Sequence, residues 1–379
     1  MKNIAIDVRC LMEEKITGVG EYTFNLLKEI FKQDRQNRYF LFFNKQNPYK
    51  KFINLLKTPS NTLCEFNIPN RLLNLSIKFF DRPFLDSLIH AKYKSKIDLF
   101  FFPNLNFFSV SSFCKTIITG HDLSYELFPD FYDFKRRLWH RLIDSQGAFL
   151  RSDKIVAVSE NTKQDLINVF NVNPNKITVV HSGIKIEAPA TVDQRVIEKY
   201  HLPEKYILTL STLEPRKNIE TLIEAYDLLR KNANVPQALV IAGPAGWKHD
   251  PILAGAKKSK NHQDIIFCDY VSVADKPHIY KQADLFVFPS YYEGFGFPPL
   301  EAMACKTPVI ASNNSSLTEI CENAAILIDP YNVHEIYMAM NEILTDTQLR
   351  ASLVGKGYVH AQKFRWEDSA KAMVALFNQ

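Results

Sequence analysis

The run Asp284-Leu285-Phe286-Val287-Phe288-Pro289-Ser290 leads straight into Tyr291-Tyr292-Glu293-Gly294-Phe295-Gly296-Phe297-Pro298-Pro299-Leu300-Glu301-Ala302-Met303-Ala304. Together they leave the backbone few options. The first run is apolar, aromatic and β-branched, and reads as a buried strand. Gly294 and Gly296 permit a tight turn and let a ligand approach the backbone with no side chain in the way. Pro298 and Pro299 suit a first helical turn, where no amide hydrogen is required. A helix over Leu300 to Cys305 follows, then a strand over Thr307 to Ser312. The amides and positive dipole end of such a helix start suit a phosphate. Glu293 and Glu301 bracket the loop, eight positions apart. A phosphate cradle between two hydroxyl-binding carboxylates is what a sugar nucleotide needs. A tight turn in a parallel sheet, with Glu301 as a helix-start charge, is the plainer alternative.

The same alternation of strands and helical segments runs through the chain. It predicts an α/β protein with parallel sheets covered on both faces. Strand candidates in the first half are Asn3 to Val8, Tyr39 to Phe43, Leu63 to Asn67, Asp98 to Phe102, Thr116 to Thr119, Lys154 to Val158 and Thr178 to His181. In the second half they are Tyr206 to Ser211, Ala238 to Ala242, Ile265 to Cys268, Pro308 to Ala311 and Ala325 to Asp329, beside the run at 284–290. At 379 residues the chain is long enough for two domains. Residues Glu187 to Lys205, with Pro189 and Pro203, read as a hinge with a short helix. Helices are expected over Ile219 to Lys231, Leu317 to Glu322 and Asn332 to Leu344, and Phe364 to Ser369 with a helix to Phe377 closes the segment.

Open α/β sheets bind ligands at the carboxyl ends of their strands. That rule places several polar groups at the mouth of a cleft. Thr17-Gly18-Val19-Gly20 follows the first strand and precedes an amphipathic helix; an ordinary loop explains Gly18 and Gly20 equally well. His121-Asp122 follows the strand Lys115 to Thr119, though a lone histidine is usually structural. Arg216-Lys217 follows the strand Tyr206 to Ser211 and opens a helix; adjacent cations there are more often surface charge. Ser159-Glu160-Asn161-Thr162 reads as a helix start capped by Ser159.

Composition narrows the function classes. The chain is 46% apolar and 23% charged, without low-complexity tracts. Nothing approaches the roughly 18 uninterrupted apolar residues of a membrane helix. Asp7 and Arg9 break any signal-peptide core at the start. The six cysteines show no Cys-x-x-Cys pair, so neither a zinc site nor a disulfide framework is indicated, and a cytoplasmic setting is expected. Residues 1–184 carry 26 Lys and Arg against 18 Asp and Glu, a balance of +8; the remainder carries 20 against 23. A basic first half suggests an anionic contact, with a solvated surface as the alternative. Asn70 to Lys96 and Phe134 to Phe149 read as helices that interleave basic with aromatic and apolar residues. They suit an anionic membrane surface or, equally, a core face with solvated lysines outside. No nucleic-acid recognition motif accompanies them.

The fourteen-residue string Tyr291 to Ala304 resembles the donor-site signature of family 4 glycosyltransferases, which are retaining enzymes of the GT-B fold. His121-Asp122, Arg216-Lys217 and the Ser159-x-x-Thr162 segment resemble the family's pattern at matching points. The resemblance spans nearly the whole chain and is densest from Leu210 to Pro330. It implies two Rossmann-like domains facing across a cleft, residues 1–184 on the acceptor side and 185–363 on the donor side. His181-Ser182-Gly183-Ile184 is similar to the family's crossing between them, and helix 364–379 is expected to cross back to the first domain.

The resemblance also implies roles. Glu301 would hydrogen-bond the nucleotide ribose, close to Leu300. Glu293 would hold donor sugar hydroxyls and the charge developing near the anomeric carbon. Amides of Phe295, Gly296 and Phe297 would hold sugar hydroxyls or the diphosphate. Arg216 and Lys217 would stabilise the leaving diphosphate. His121 would contact the donor sugar, and the Gly18–Gly20 loop would lie near the diphosphate and acceptor. Backbone around Tyr270 and Val271 would hold the nucleobase. Glu214-Pro215 stands where many members have a glycine before the arginine, a pairing similar to the mannosyltransferase-like branch. The expected donor is GDP-mannose, with a UDP-sugar as the alternative. The expected acceptor is a cell-envelope glycan or a lipid-linked oligosaccharide at the inner face of the membrane. Without any Asp-x-Asp, no metal and no separate cofactor are expected.

Three other readings stay open on the residues alone. A glycoside hydrolase would use Glu293 and Glu301 as acid and base, which leaves Arg216 and Lys217 without a role. A non-catalytic sugar-nucleotide-binding module would keep the same groups. A dehydrogenase fits least, since neither half begins with Gly-x-Gly-x-x-Gly.

Overall fold

The computed structural model describes residues 1–14, 18–44 and 50–379. The chain divides into two compact units, one of residues 1–123, 135–183 and 365–379 and the other of residues 124–134 and 184–364. Each unit is built on one parallel sheet. The first has strands β1 Asn3–Asp7, β2 Arg38–Asn44, β3 Asn61–Phe66, β4 Leu99–Phe102, β5 Lys115–Gly120, β6 Lys154–Ala157 and β7 Ile177–Val179, in the order 3-2-1-4-5-6-7. The second has β8 Tyr206–Leu210, β9 Ala238–Ala242, β10 Ile265–Cys268, β11 Leu285–Phe288, β12 Val309–Ser312 and β13 Ile326–Ile328, in the order 10-9-8-11-12-13.

Both orders reverse beside the unit's first strand, between β1 and β4 and between β8 and β11. Such a reversal splays the flanking connections to opposite faces and opens a crevice at the strands' carboxyl ends. Most strands are largely apolar because helices cover both faces; β3, at the sheet edge, is not. Every residue of β8, β9, β11 and β12 is buried. In the second unit, Leu222, Tyr226 and Leu229 of the helix Ile219–Asn232 share one core with β8, β9 and β11 and with Ile336 and Met340 of the helix Val333–Thr345.

Five local readings change. The Asn70 to Lys96 segment is two helices, Asn70–Phe80 and Leu85–Tyr93, because Asp81 turns to a positive φ of 52° and Pro83 cannot continue the first. Phe134 to Phe149 is likewise broken at Asp144, whose φ is 52° and whose carboxylate caps the second helix at the Gly147 amide. Gly18 and Gly20 lie in the first turn of the helix Gly18–Gln33, not in a loop; Thr17 lies outside the described residues. Residues 124–134, read from sequence as part of the first domain, pack with the second unit. Finally, a helix Thr347–Ala361 follows Val333–Thr345 where none was expected. Asp346 caps it through the amides of Gln348 and Leu349. Its Gly355 and Gly357 weaken the helical signal, and Gly357 is needed for close packing: a Cβ there would sit 3.1 Å from Met303.

The helix Trp366–Asn378 belongs to the first unit. Ser369 Oγ donates to the His181 carbonyl, and Lys2 Nζ donates to the Phe377 carbonyl. Gly183 abuts it so tightly that a Cβ would lie 2.1 Å from the Trp366 nitrogen.

At the exit of β9, Gly243 holds a φ of +135°, and an added Cβ would lie 1.9 Å from the Ser211 carbonyl oxygen. Strain and collision coincide there, so Gly243→Ala should cost about 2–4 kcal/mol of stability. Urea denaturation of the purified variant checks this, read as a lower midpoint at unchanged slope.

Candidate active site

Strands β8 and β11 deliver their carboxyl-end connections to the same point in the second unit. From β8 the chain passes to a 3₁₀ turn, Pro215–Lys217, then to Asn218 at a positive φ of 56° and the helix Ile219–Asn232. From β11 it passes through Pro289 and Ser290. The Tyr291 amide donates to the Arg216 carbonyl at 2.9 Å, and Asn218 Nδ2 donates to the carbonyls of Pro289 and Pro330 at 3.0 and 2.7 Å. These bonds join the two connections and fix where their side chains meet.

Four charges meet there. Lys217 Nζ lies 2.5 Å from Glu293 Oε1, and Arg216 Nη1 lies 2.9 Å from Glu293 Oε2. Arg216 Nη2 also reaches Glu214 Oε1 at 2.7 Å. The Lys217 ammonium sits 5.1 Å over the Phe288 ring. Glu214, Lys217 and Glu293 are all buried. Burial alone would raise the Glu293 pKa, but the charges of Arg216 and Lys217 outweigh it and bring it down to about 2. Glu293 is therefore a carboxylate at neutral pH, and the two cations balance two carboxylates.

The glycine loop is laced to the connection after β12. The Glu293 amide donates to Ser315 Oγ at 3.0 Å, and Asn314 Nδ2 donates to the Tyr291 carbonyl at 2.9 Å. Ser316 Oγ lies 2.9 Å from the Glu293 carbonyl and 2.7 Å from that of Phe295. Gly296 caps the helix Phe297–Ala304 at a φ of 120°, and a Cβ there would meet Leu317 Cδ2 at 2.8 Å. Pro298 and Pro299 sit in the first turn, as their missing amide hydrogens require. The chain thus brings a glycine-headed helix start to the charge cluster. One turn into that helix, buried Glu301 accepts from Tyr280 Oη at 2.8 Å and from Lys276 Nζ at 3.2 Å. Leu300 is fully buried beside it. Tyr270, half-buried, and Val271, buried, lie on the connection that leaves β10.

In the first unit, β5 ends at Gly120 and presents His121. Its Nε2 donates to the Pro103 carbonyl at 2.8 Å, at the end of β4, and Thr162 Oγ1 donates to its carbonyl at 3.2 Å. Ser159 Oγ accepts from the Thr162 amide at 3.0 Å, the expected cap. Tyr22 meets the imidazole edge-on, centroids 4.7 Å apart, and Trp366 meets Tyr22 at 5.8 Å. Burial lowers the His121 pKa, with the Pro103 carbonyl and Asp122 partly opposing. The ring is therefore neutral at pH 7, its proton on Nε2 and its lone pair on Nδ1.

Directly after His121-Asp122-Leu123, the chain joins the second unit for residues 124–134 and then returns. Phe131 stacks on Tyr291 and Phe128 tilts over Tyr292, each pair 5.6 Å apart. Tyr132 stacks on Trp247, whose Nε1 donates to the Phe131 carbonyl at 2.6 Å. This strap rests on the two tyrosines that precede Glu293.

The sequence reading named Arg216, Lys217 and Glu293 without foreseeing their ion pairing. It missed Glu214 as a partner, Lys276 and Tyr280 on Glu301, the Asn314–Ser316 lacing and the strap. Only Glu214 carried a signal, as the departure next to Arg216.

The family model described as glycosyl transferases group 1 matches residues 193–360, and that described as Glycosyltransferase Family 4 matches residues 16–188. The chain is 31% identical over 273 residues to the O-antigen chain mannosyltransferase B of Escherichia coli, covering 69% of this chain and 70% of that one. It is also 31% identical over 277 residues to the serotype-specific mannosyltransferase WbdA of E. coli, covering 70% of this chain but only 33% of that longer protein. HepE of Anabaena, solved with UDP and glucose, superposes with a TM-score of 0.73 at 16% identity over the full length of both chains. That likeness places the fold among the GT-B proteins.

The depressed pKa of Glu293 stabilises the fold fully above about pH 4.5, and that contribution is lost as pH falls through about 2. Stability of the wild type should therefore fall by about 2–3 kcal/mol through this group between about pH 5 and pH 2.5. Glu293→Gln should lack that component, which chemical denaturation at the two pH values would check. Trp247→Phe removes the hydrogen bond to the strap and should raise limited-proteolysis cleavage within 124–134. An unchanged cleavage pattern would mean that the other strap contacts suffice.

Proposed function

This chain belongs to the group 1 glycosyl transferases, with a family 4 first half, and from that membership we propose a retaining, metal-independent transfer of mannose from GDP-mannose. The observation that carries the reading is the ion-paired cluster of buried Glu293 and Lys217 with half-buried Arg216, beside a glycine-headed helix start at the β8/β11 reversal.

The donor diphosphate would draw Arg216 and Lys217 toward itself, since both cations can serve phosphate oxygens as well as carboxylate. That exchange would free the Glu293 oxygens to accept from donor sugar hydroxyls and to face the positive charge that grows at the anomeric carbon. Amides of the 295–297 segment would hold sugar hydroxyls or the diphosphate. Glu301, already oriented by Tyr280 and Lys276, would accept from the ribose hydroxyls. His121 would offer Nδ1 to a sugar hydroxyl. The acceptor hydroxyl would attack from the face the diphosphate leaves, passing its proton to a diphosphate oxygen, so no strong protein base is needed. The cations and the helix dipole would take the place of a metal ion.

Two mannosyltransferase relatives support mannose as the sugar, and the UDP in the HepE structure supports a nucleotide donor without deciding the base. The acceptor would be a cell-envelope glycan or lipid-linked oligosaccharide, handled at the cytoplasmic face of the membrane. Among the described residues no helix is long and apolar enough to cross a membrane. A hydrolase is disfavoured on a specific ground. A general acid needs a raised pKa, whereas Glu293 is held near 2 and both glutamates are ion-paired.

GDP and GDP-mannose should raise the melting temperature more than UDP, ADP or their sugar conjugates, because a ligand stabilises the state that binds it. A UDP-selective shift would replace the donor and keep the mechanism. Glu293→Gln should lower kcat by about 100-fold or more while changing nucleotide affinity only a few-fold. Glu301→Ala should weaken donor binding by about tenfold, the worth of a charge-assisted hydrogen bond. Isothermal titration with steady-state kinetics separates the two effects.

A further inference from the structure

We propose that the cavity between the helix Thr347–Ala361 and the 3₁₀ turn Glu322–Ala324, both in the second unit, is a binding site for a sugar phosphate. It shares no residue with the charge cluster around Glu293 and goes beyond the transfer proposed above.

The cavity has a volume of about 540 Å³ and is lined by Glu322, Gly355, Lys356, Val359, His360 and Lys363, among others. The five from 355 onward recur on one side of the helix and just past its end. The sequence keeps this space open against its own helix propensity, since a helix interior disfavours glycine. Gly357 answers a packing need, because a Cβ there would meet Met303 at 3.1 Å. A Cβ at Gly355 would meet nothing within 4 Å. No neighbour excludes a side chain at Gly355; what a side chain there would narrow is the cavity.

His360 gives the cavity a buried polar wall, only 6% exposed. Its Nε2 donates to the Ile320 carbonyl at 2.8 Å, which leaves Nδ1 as an acceptor. Glu322 Oε2 stands 3.6 Å from that Nδ1, beyond hydrogen-bond length, and is an acceptor as well. Two acceptors that face each other are satisfied by donors placed against both, and neighbouring hydroxyls of a sugar supply two. Glu322 holds its place at a φ of 40° and a ψ of −128°, a backbone conformation that a residue with a side chain adopts only under strain.

Charge sets the other half of the ligand. Lys356 and Lys363 line the same cavity and are exposed, and Lys363 Nζ stands 3.9 Å from Glu322 Oε2. Two ammonium groups against one carboxylate leave a positive balance that suits a phosphoryl group. Val359, 66% exposed, and Ala324 add apolar surface for the C–H face of a sugar ring.

The test is isothermal titration of the full chain with mannose 1-phosphate and glucose 6-phosphate, against mannose, glucose and inorganic phosphate. At least one hexose phosphate should bind about tenfold or more tightly than its free sugar and than phosphate, because it engages both halves of the site. Lys356→Gln/Lys363→Gln and Gly355→Leu should each lower that affinity about tenfold or more. All three residues are exposed, so the melting shift induced by nucleotide should stay as in wild type, which separates this site from the donor site. Failure of the donor reading would instead remove that shift from wild type and leave hexose phosphate binding in place. Gly355→Leu should keep the melting temperature at or above that of wild type, since leucine is the better helix former; the lysine pair decides the matter if it does not. Hexose phosphate binding that the lysine variant retains, binding no tighter than that of phosphate or of the free sugar, or no binding at all would each overturn the assignment.

Discussion

Four charges, Glu214, Lys217 and Glu293 buried and Arg216 half-buried, hold the second unit's site together. A charge taken from water is costly unless its partners sit at hydrogen-bond distance. None of these four could be buried alone, and removing one would strand another. Their pairing demands that the connections after β8 and β11 meet within ångströms, which the Tyr291–Arg216 backbone bond and the Asn218 clamp provide. The strand reversal in the middle of the sheet supplies the opening they share. Much of the surrounding architecture serves this demand. Gly243 allows the exit of β9 to pass close to Ser211, and Ser315 and Ser316 tether the loop that carries Glu293.

The balance of that cluster also bears on how it could be used. Two cations facing two carboxylates are neutral as a group, so an arriving dianion has cations to recruit only by competing with Glu214 and Glu293. Glu214 stays on Arg216 at 2.7 Å, whereas Lys217 pairs with Glu293. Donor arrival and release of Glu293 would then be a single exchange of partners. Such an exchange would keep the carboxylate quiet until a sugar is present, and would limit wasteful donor hydrolysis.

The first unit is organised by packing more than by charge. Phe100 and Phe102 stack at 4.6 Å within β4, and Phe101 meets Phe377 of the closing helix at 5.4 Å. Its polar site is narrower: one neutral imidazole, oriented by a carbonyl and the edge of Tyr22. The strap 124–134 packs within the second unit, Phe131 stacked on Tyr291 and Phe128 tilted over Tyr292.

What the sequence by itself determined was set by local chemistry. Apolar runs marked the buried strands, and the thirteen strands of the described residues fall where strands were expected, including β3, which is only partly apolar and half-buried. Gly296 with Pro298 and Pro299 permitted one backbone course, and Ser159 could cap only the helix after it. The resemblance of Tyr291–Ala304 to a donor-site signature carried the family, because that string is long and its residue types are chemically demanding. Partners distant in the chain were decided only by tertiary structure. Arg216 and Glu293 stand 77 positions apart, and Lys276 and Glu301 stand 25 apart; no periodicity encodes which cation meets which carboxylate. The breaks at Asp81 and Asp144 rested on single residues at positive φ, a choice that non-glycine residues rarely make and sequence patterns rarely show. The helix Thr347–Ala361 was hidden because Gly355 and Gly357 weaken its helical signal, and of the two only Gly357 packs against Met303. The strap's aromatic residues mark a packing surface, and only the fold says that it packs with the second unit.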